Sequence, residues 1–321
     1  MAAAGVGTFS FAEKPVLKFN SDKKFKIVQF TDLHVKWQEP KSDIAFERIN
    51  QVLDDEKPDL VIFTGDIIYS KPATDNLRRV LKTVSDRKTP FAIVFGNHDN
   101  EQGAEKDELL RVAQSLPYNL TEDEVPALSG VANYTLTLRS SDGTKEAAVL
   151  YCFDSNAYSS IEGIKGYDYI KTDQINWYRA RCVDFAARNA GRPLPSLAFF
   201  HIPLPEYNQA ATDENAALYG IRREKACSPE LNSGLFTAMK ENGDIMGTFV
   251  GHDHDNDYAV YWKGILLAYG RFSGGPTEYN NLPNGARIIE MTESTRTFRT
   301  WIRTQHGTEQ LTIYPYDYLK K

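Results

Sequence analysis

Short apolar runs alternate with amphipathic stretches through the first third of the chain. Phe25–Phe30 (FKIVQF), Asp59–Phe63 (DLVIF) and Phe91–Phe95 (FAIVF) read as strands. Between them, Asp43–Glu56 carries Ile44, Ile49, Val52 and Leu53 near helical spacing, and Thr74–Asp86 puts Leu77, Val80, Leu81 and Val84 on one helical face. This strand–helix–strand order predicts a parallel sheet with right-handed crossovers.

The second half is richer in strands. Asn133–Leu138 and Ala147–Phe153 flank the turn SSDGTK and predict a hairpin. A helix is expected near Thr172–Arg188, a strand at Ser196–Phe200, a helix near Ser233–Asn242 and a strand at Asp244–Val250. The runs YAVYW, GILLAY, ARIIEM and TFRTWI predict further strands near the end. The expected fold is α/β: a two-sheet β-sandwich flanked by helices, forming one domain over residues 23–321. Residues 1–22 are set apart as an N-terminal tail. Its small, uncharged start fits a mature end left after leader removal, hence export to a periplasm or outside, and equally a natural cytoplasmic tail.

Composition narrows the function. Of the 321 residues, 41% are apolar and 25% charged, as in an ordinary globular protein. The net charge of −6 offers no basic excess for nucleic acid or an anionic membrane, so neither partner is expected. There is no apolar run long enough to span a bilayer. Cys152, Cys182 and Cys227 are too few and too widely spaced for a disulfide framework and are expected to be buried thiols. Oligomeric state is not legible at this level.

Polar residues change the picture where the strands end. Five of the six histidines follow predicted strands, in QFTDLH, FGNHDNE, FFHIPLPEY and FVGHDH; IFTGDIIY adds a fifth such site. In open α/β sheets, ligands bind beyond the carboxyl ends of the strands. Carboxylates and imidazoles brought together there repel, or stay empty, unless a cation lies between them. Asp32, His34, Asp66, Asn97, His201, His252 and His254 are too many for one tetrahedral ion and suit two metals sharing a carboxylate. Gly65, Gly96 and Gly251 precede the ligands where the backbone must turn sharply.

Rival readings of GHDHDNDY fail on spacing. A calcium loop needs glycine where Tyr258 stands and glutamate where Gly264 stands. An H-x-H-x-D-H pattern needs aspartate and histidine where Asn256 and Asp257 stand. Alone, the octapeptide also reads as a solvated turn.

Asp32-Leu33-His34, Gly65-Asp66, Gly96-Asn97-His98-Asp99, His201 and Gly251-His252-Asp253-His254 follow one another in order. In this the chain resembles the calcineurin-like metallophosphoesterases. FFHIPLPEY, GHDHDNDY and YGRFSGG extend the likeness toward the purple acid phosphatase-like branch. The resemblance implies a four-layer α/β/β/α fold and two bound metals. It assigns Asp32, His34 and His254 to the first, Asn97, His201 and His252 to the second, and Asp66 to both. It leaves His98 uncoordinated, beside the scissile phosphate. True purple acid phosphatases use the tyrosine of G-D-x-x-Y and lack the histidine of D-x-H. Here both Tyr69 and His34 are present, and His34 is favoured as the ligand because imidazole suits many divalent metals. Mn, Fe and Zn all remain open.

The activity this implies is metal-dependent hydrolysis of phosphate esters of small molecules, monoesters first, through hydroxide generated between the metals. The alternatives are a phosphodiesterase acting on cyclic nucleotides or glycerophosphodiesters and a non-catalytic scaffold; a nuclease is disfavoured by the acidic balance. His98 is the candidate proton donor to the leaving group, with Asp99 either holding its ring or bonding its own turn. Weaker substrate contacts are Arg271 as a phosphate clamp, Tyr69 and Asn156. Tyr158, Tyr167, Tyr169 and Trp177 fit either a cleft wall or the core. His306 is expected at the surface.

Overall fold

The computed structural model describes residues 14–319. Thirteen strands form two mixed sheets. The first is built on three parallel strands, β1 (Lys24–Phe30), β2 (Leu60–Thr64) and β3 (Phe91–Val94), joined through helices α1 (Asp43–Glu56) and α2 (Ala73–Ser85). This is the parallel arrangement that the alternating pattern predicts. The second sheet contains β4 (Tyr134–Arg139), β5 (Glu146–Cys152), β6 (Ser196–Phe199), β7 (Leu218–Tyr219), β8 (Ile245–Val250), β9 (Ala259–Trp262) and β10 (Ile265–Tyr269), in the order β4-β5-β6-β8-β10-β9-β7. Then β11 (Gly285–Thr292), β12 (Phe298–Thr304) and β13 (Gly307–Tyr314) return to the first sheet, where β11 pairs antiparallel to β1.

Two cores make four layers. One core holds Leu77, Val80, Leu81 and Val84 of α2 together with both sheets' facing residues. Between the sheets, Phe249 of β8 stacks on Phe199 of β6 at 5.3 Å and meets Phe298 of β12 at 5.9 Å. The other core lies outside the second sheet, under helices α4 (Thr172–Arg188), α5 (Glu206–Thr212) and α6 (Leu235–Asn242). Strand β6 serves both: Leu197 and Phe199 face the first core, Ala198 and Phe200 the second. That is why SLAFF is a continuous apolar run rather than an alternating one. Burying each such Phe contributes about 1.5–3 kcal/mol. No helix among the described residues is long and apolar enough to cross a membrane.

Several expectations need correction. Helix α3 (Lys106–Gln114) and strand β13 go beyond the elements the pattern predicts. Residues 1–13 of the expected tail lie outside the described residues. The rest of that tail is packed: Leu17 and Phe19 are buried, and both exchange backbone hydrogen bonds with Arg139 at 2.9 Å. Cys152 and Cys182 are buried as expected, whereas Cys227 is exposed.

Arg271 is also not free for a phosphate. It is wholly buried, with Nε 2.8 Å from Asp257 Oδ2, Nη1 donating to the Pro283 carbonyl at 2.7 Å and Nη2 to Glu309 at 3.1 Å. Asp257 also accepts from Gln310 Nε2 at 2.8 Å, and its carbonyl takes Arg287 Nη2 at 2.6 Å. This network locks the loop after β8 to the first sheet. Asp257→Ala would leave the buried Arg271 guanidinium with Glu309 as its remaining carboxylate partner and is predicted to destabilise the fold by about 3 kcal/mol. A lower urea midpoint at unchanged m-value would show it, and an unchanged midpoint would refute it.

Candidate metal centre

Five parallel strands end at one edge of the sandwich, and the turns after them carry the expected donors. Asp32 and His34 follow β1, Asp66 follows β2, Asn97 and His98 follow β3, His201 follows β6, and His252 and His254 follow β8. Asp32, His34, Asp66 and His252 all have positive φ, from 43° to 81°. Such backbone is uncommon outside glycine, and here it turns each side chain inward from a strand end. Gly65 lies at φ 87°, where a Cβ would stand 2.6 Å from both Gly96 N and His201 Nδ1. Only glycine lets the β2 and β3 turns approach this closely.

The donors fall into two buried triads, Asp32–His34–His254 and Asp66–His201–His252, each with its ligand atoms within 4.8 Å of one another. Asp66 Oδ2 is 3.1 Å from His201 Nε2 and 3.8 Å from His34 Nε2, so it lies between the triads. His34 Nε2 and His254 Nε2 are 3.0 Å apart. His201 and His254 donate Nδ1–H to the carbonyls of Thr64 and Tyr279, each at 2.7 Å, which turns their Nε2 lone pairs inward. Asn97 Oδ1 and His252 Nε2 are buried with no hydrogen-bond partner among the described residues, and His201 Nε2 faces only the Asp66 carboxylate, 3.1 Å away. Buried polar atoms without partners are costly. Inward-facing imidazole nitrogens, a carboxamide oxygen and two carboxylates are the donor set a transition-metal pair requires, so these residues fit one.

Electrostatics agrees. Burial holds the His34 and His252 imidazoles well below their usual range, leaving them neutral and able to donate lone pairs. Burial also works against a proton on His201, but Asp66 and then Asp32 outweigh it and push that ring up to about 10. The carboxylates therefore demand positive charge at this spot, which a metal ion would provide. Burial opposes ionisation of Asp66 as well, yet the imidazoles, His201 first, hold its carboxyl well below the usual range.

A second set of bonds holds the donors. Asp32 accepts the backbone N–H of His252 at 3.0 Å on both oxygens, and Asp66 accepts that of His98 at 2.9 Å. Asp99 does not hold the His98 ring. It accepts four backbone N–H groups instead, from Gly96 (2.8 Å), Asp66 (3.0 Å), Ile67 (2.8 Å) and Ile68 (3.2 Å), and so clamps the β2 and β3 turns together. Burial, then the Asp66 charge, push its carboxyl up to about 6 despite these bonds. The His98 ring is held by Glu101, Nδ1 to Oε2 at 2.6 Å.

Other residues sort themselves by contact. Tyr69 lies edge-on to His34 (5.2 Å) and His98 (4.9 Å), and burial, then Glu278, raise its phenol, which favours the protonated form. Asn156 donates from Nδ2 to the Tyr169 carbonyl at 2.9 Å and to Gln174 at 3.2 Å, which ties it to its own loop. Trp177 is core, whereas Tyr167 meets His252 at 4.3 Å and stacks against Tyr158 at 5.7 Å. His306 is exposed. Sequence reasoning overlooked Glu101, Tyr279 (4.4 Å from the His254 ring) and the placing of Tyr158. Of these only Glu101 carried a signal, its three-residue offset from His98 on a turn of helix.

The sequence profile of calcineurin-like phosphoesterases matches residues 25–256. "Probable inactive purple acid phosphatase 29" of Arabidopsis thaliana is 32% identical over 290 residues, covering 81% of this chain and 74% of that one. "Phosphatase DCR2" of Saccharomyces cerevisiae is 34% identical over 332 residues, covering 92% of this chain and 56% of the yeast protein. In fold, the chain resembles a dimetal phosphatase from Danio rerio (TM-score 0.63, 12% identity, covering 90% of this chain and 98% of that one).

Elemental analysis of protein purified without chelator should find about two transition-metal equivalents per chain. His201→Ala should lower that content, and calcium or magnesium alone would contradict the donor chemistry.

Proposed function

Because the chain belongs to the calcineurin-like phosphoesterase family, we propose that it is an active dinuclear-metal phosphoesterase that hydrolyses small phosphomonoesters. The observation that carries this reading is the complete inward-facing donor set. A scaffold that had dropped catalysis would have no need to keep Asn97 Oδ1 and the His252 imidazole nitrogen buried without partners. The name of the Arabidopsis relative concerns that protein; in this chain all seven donors are present.

Asp32, His34 and His254 would hold one ion, Asn97, His201 and His252 the other, with Asp66 shared. When bound, the ions would supply Lewis acidity toward the phosphoryl oxygens and the attacking water. The chain's own part is to hold this cage and to serve the leaving group. His98 is suited to the second task. Its side chain keeps 27% exposure, against 2% for His34 and none for His201, so a substrate can reach it. With Nδ1–H held by Glu101, the imidazolium form of His98 would present Nε2–H to the departing oxygen and, on giving up that proton, return to the neutral ring.

With Mn²⁺ added, p-nitrophenyl phosphate should turn over faster than bis-p-nitrophenyl phosphate; the reverse order would favour a diesterase. His98→Ala should keep both metals while lowering kcat by about 10²–10⁴ on alkyl phosphates. The loss should be smaller for p-nitrophenyl phosphate, whose leaving group needs little protonation. Loss of a metal, or equal slowing of both esters, would end the proton-donor role.

A further inference from the structure

Glu101 makes two bonds that belong together. One carboxylate oxygen takes the His98 Nδ1–H at 2.6 Å, and the other takes the hydroxyl proton of Tyr158 at 3.0 Å. Tyr158 comes from the irregular segment after β5, and its oxygen in turn accepts Asn97 Nδ2–H at 3.2 Å. An ionised carboxylate can only accept, so the direction of every bond in this chain is fixed from Glu101 outward. Tyr158 must spend its proton on Glu101 and therefore presents a lone pair to Asn97. The Asn97 carboxamide must then point its NH₂ at Tyr158, which leaves Oδ1 facing inward, where it is buried without a partner. Flipping that amide would lose the bond to Tyr158 and turn a donor toward the metals.

We propose that Glu101 is a positioning residue for two parts of the site at once: the His98 ring directly, and the Asn97 carboxamide through Tyr158. The His98 arm rests on the phosphoesterase reading given above; the Asn97 arm does not. Neither residue is needed for packing. Tyr158 is 48% exposed and the Glu101 side chain 37%, so their replacement leaves the cores intact.

The test compares Tyr158→Phe and Glu101→Ala with the wild-type chain, after thermal melts confirm unchanged folding. Mn²⁺ affinity is measured by competition with a chromophoric chelator, independently of activity. Both variants should bind the weaker Mn²⁺ about 10-fold less tightly, the lower end of what partners of metal ligands contribute. Steady-state rates supply the second readout. Glu101→Ala should lower kcat on an alkyl phosphate by about 10-fold or more with KM nearly unchanged, and lower it much less on p-nitrophenyl phosphate. Tyr158→Phe, which leaves the Glu101–His98 bond in place, should slow the two esters equally. Wild-type Mn²⁺ affinity in both variants would overturn the proposal, as would equal slowing of both esters by Glu101→Ala. If the wild type hydrolyses neither ester, the phosphoesterase reading fails, and Mn²⁺ affinity alone then decides the Asn97 arm.

Discussion

Two carboxylates, Asp32 and Asp66, lie almost fully buried within reach of each other's imidazole neighbours, and the site is organised around keeping them there. An unpaired buried carboxylate costs several kcal/mol or more, and in most surroundings it takes up a proton instead. Here each is restrained by a backbone N–H from a different turn, His252 for Asp32 and His98 for Asp66. Those bonds orient the carboxylates without neutralising them. The charge that remains is the demand two metal ions would meet, while burial keeps the His34 and His252 rings neutral.

The sandwich makes this arrangement possible. Parallel strands from both sheets end at one edge, so turns far apart in sequence meet there. Four of the donors hold strained backbone there, at positive φ. Asp99 offsets some of that cost, because its four accepted N–H bonds hold the turns after β2 and β3 in register. The buried pair Asp257–Arg271 does the same for the turn after β8, anchoring it to the first sheet. The candidate metal donors thus sit at strand ends, while Tyr158, Tyr167 and Tyr279 come from irregular segments around them.

Much of this was legible in the sequence. Apolar runs and amphipathic periods expose β1–α1–β2–α2–β3, because each element buries one face or both. The donors could be read because metal binding demands particular residue types at strand ends, and the order of those types is specific. What could not be read were contacts between distant segments. Arg271 looks like an anion clamp in YGRFSGG, but its fate depends on Asp257 and Glu309 lying across the fold. Asp99 looks like a partner for the adjacent His98, yet its geometry turns it to the backbone. Leu17 and Phe19 are buried only because β4 runs beside them, which no local pattern encodes. Tyr158 and Trp177 are alike in composition terms, and only tertiary placement puts one at the rim and the other in the core.

The central claim is that Asp66 joins two donor triads into one dinuclear centre, rather than leaving two separate sites or one. Electron paramagnetic resonance of the Mn²⁺-loaded protein addresses this directly, because two manganese ions bridged by a carboxylate are exchange-coupled. The account predicts a broad, temperature-dependent coupled spectrum with hyperfine spacing narrower than that of an isolated ion. A simple six-line spectrum at full loading, the signature of uncoupled Mn²⁺, would contradict it.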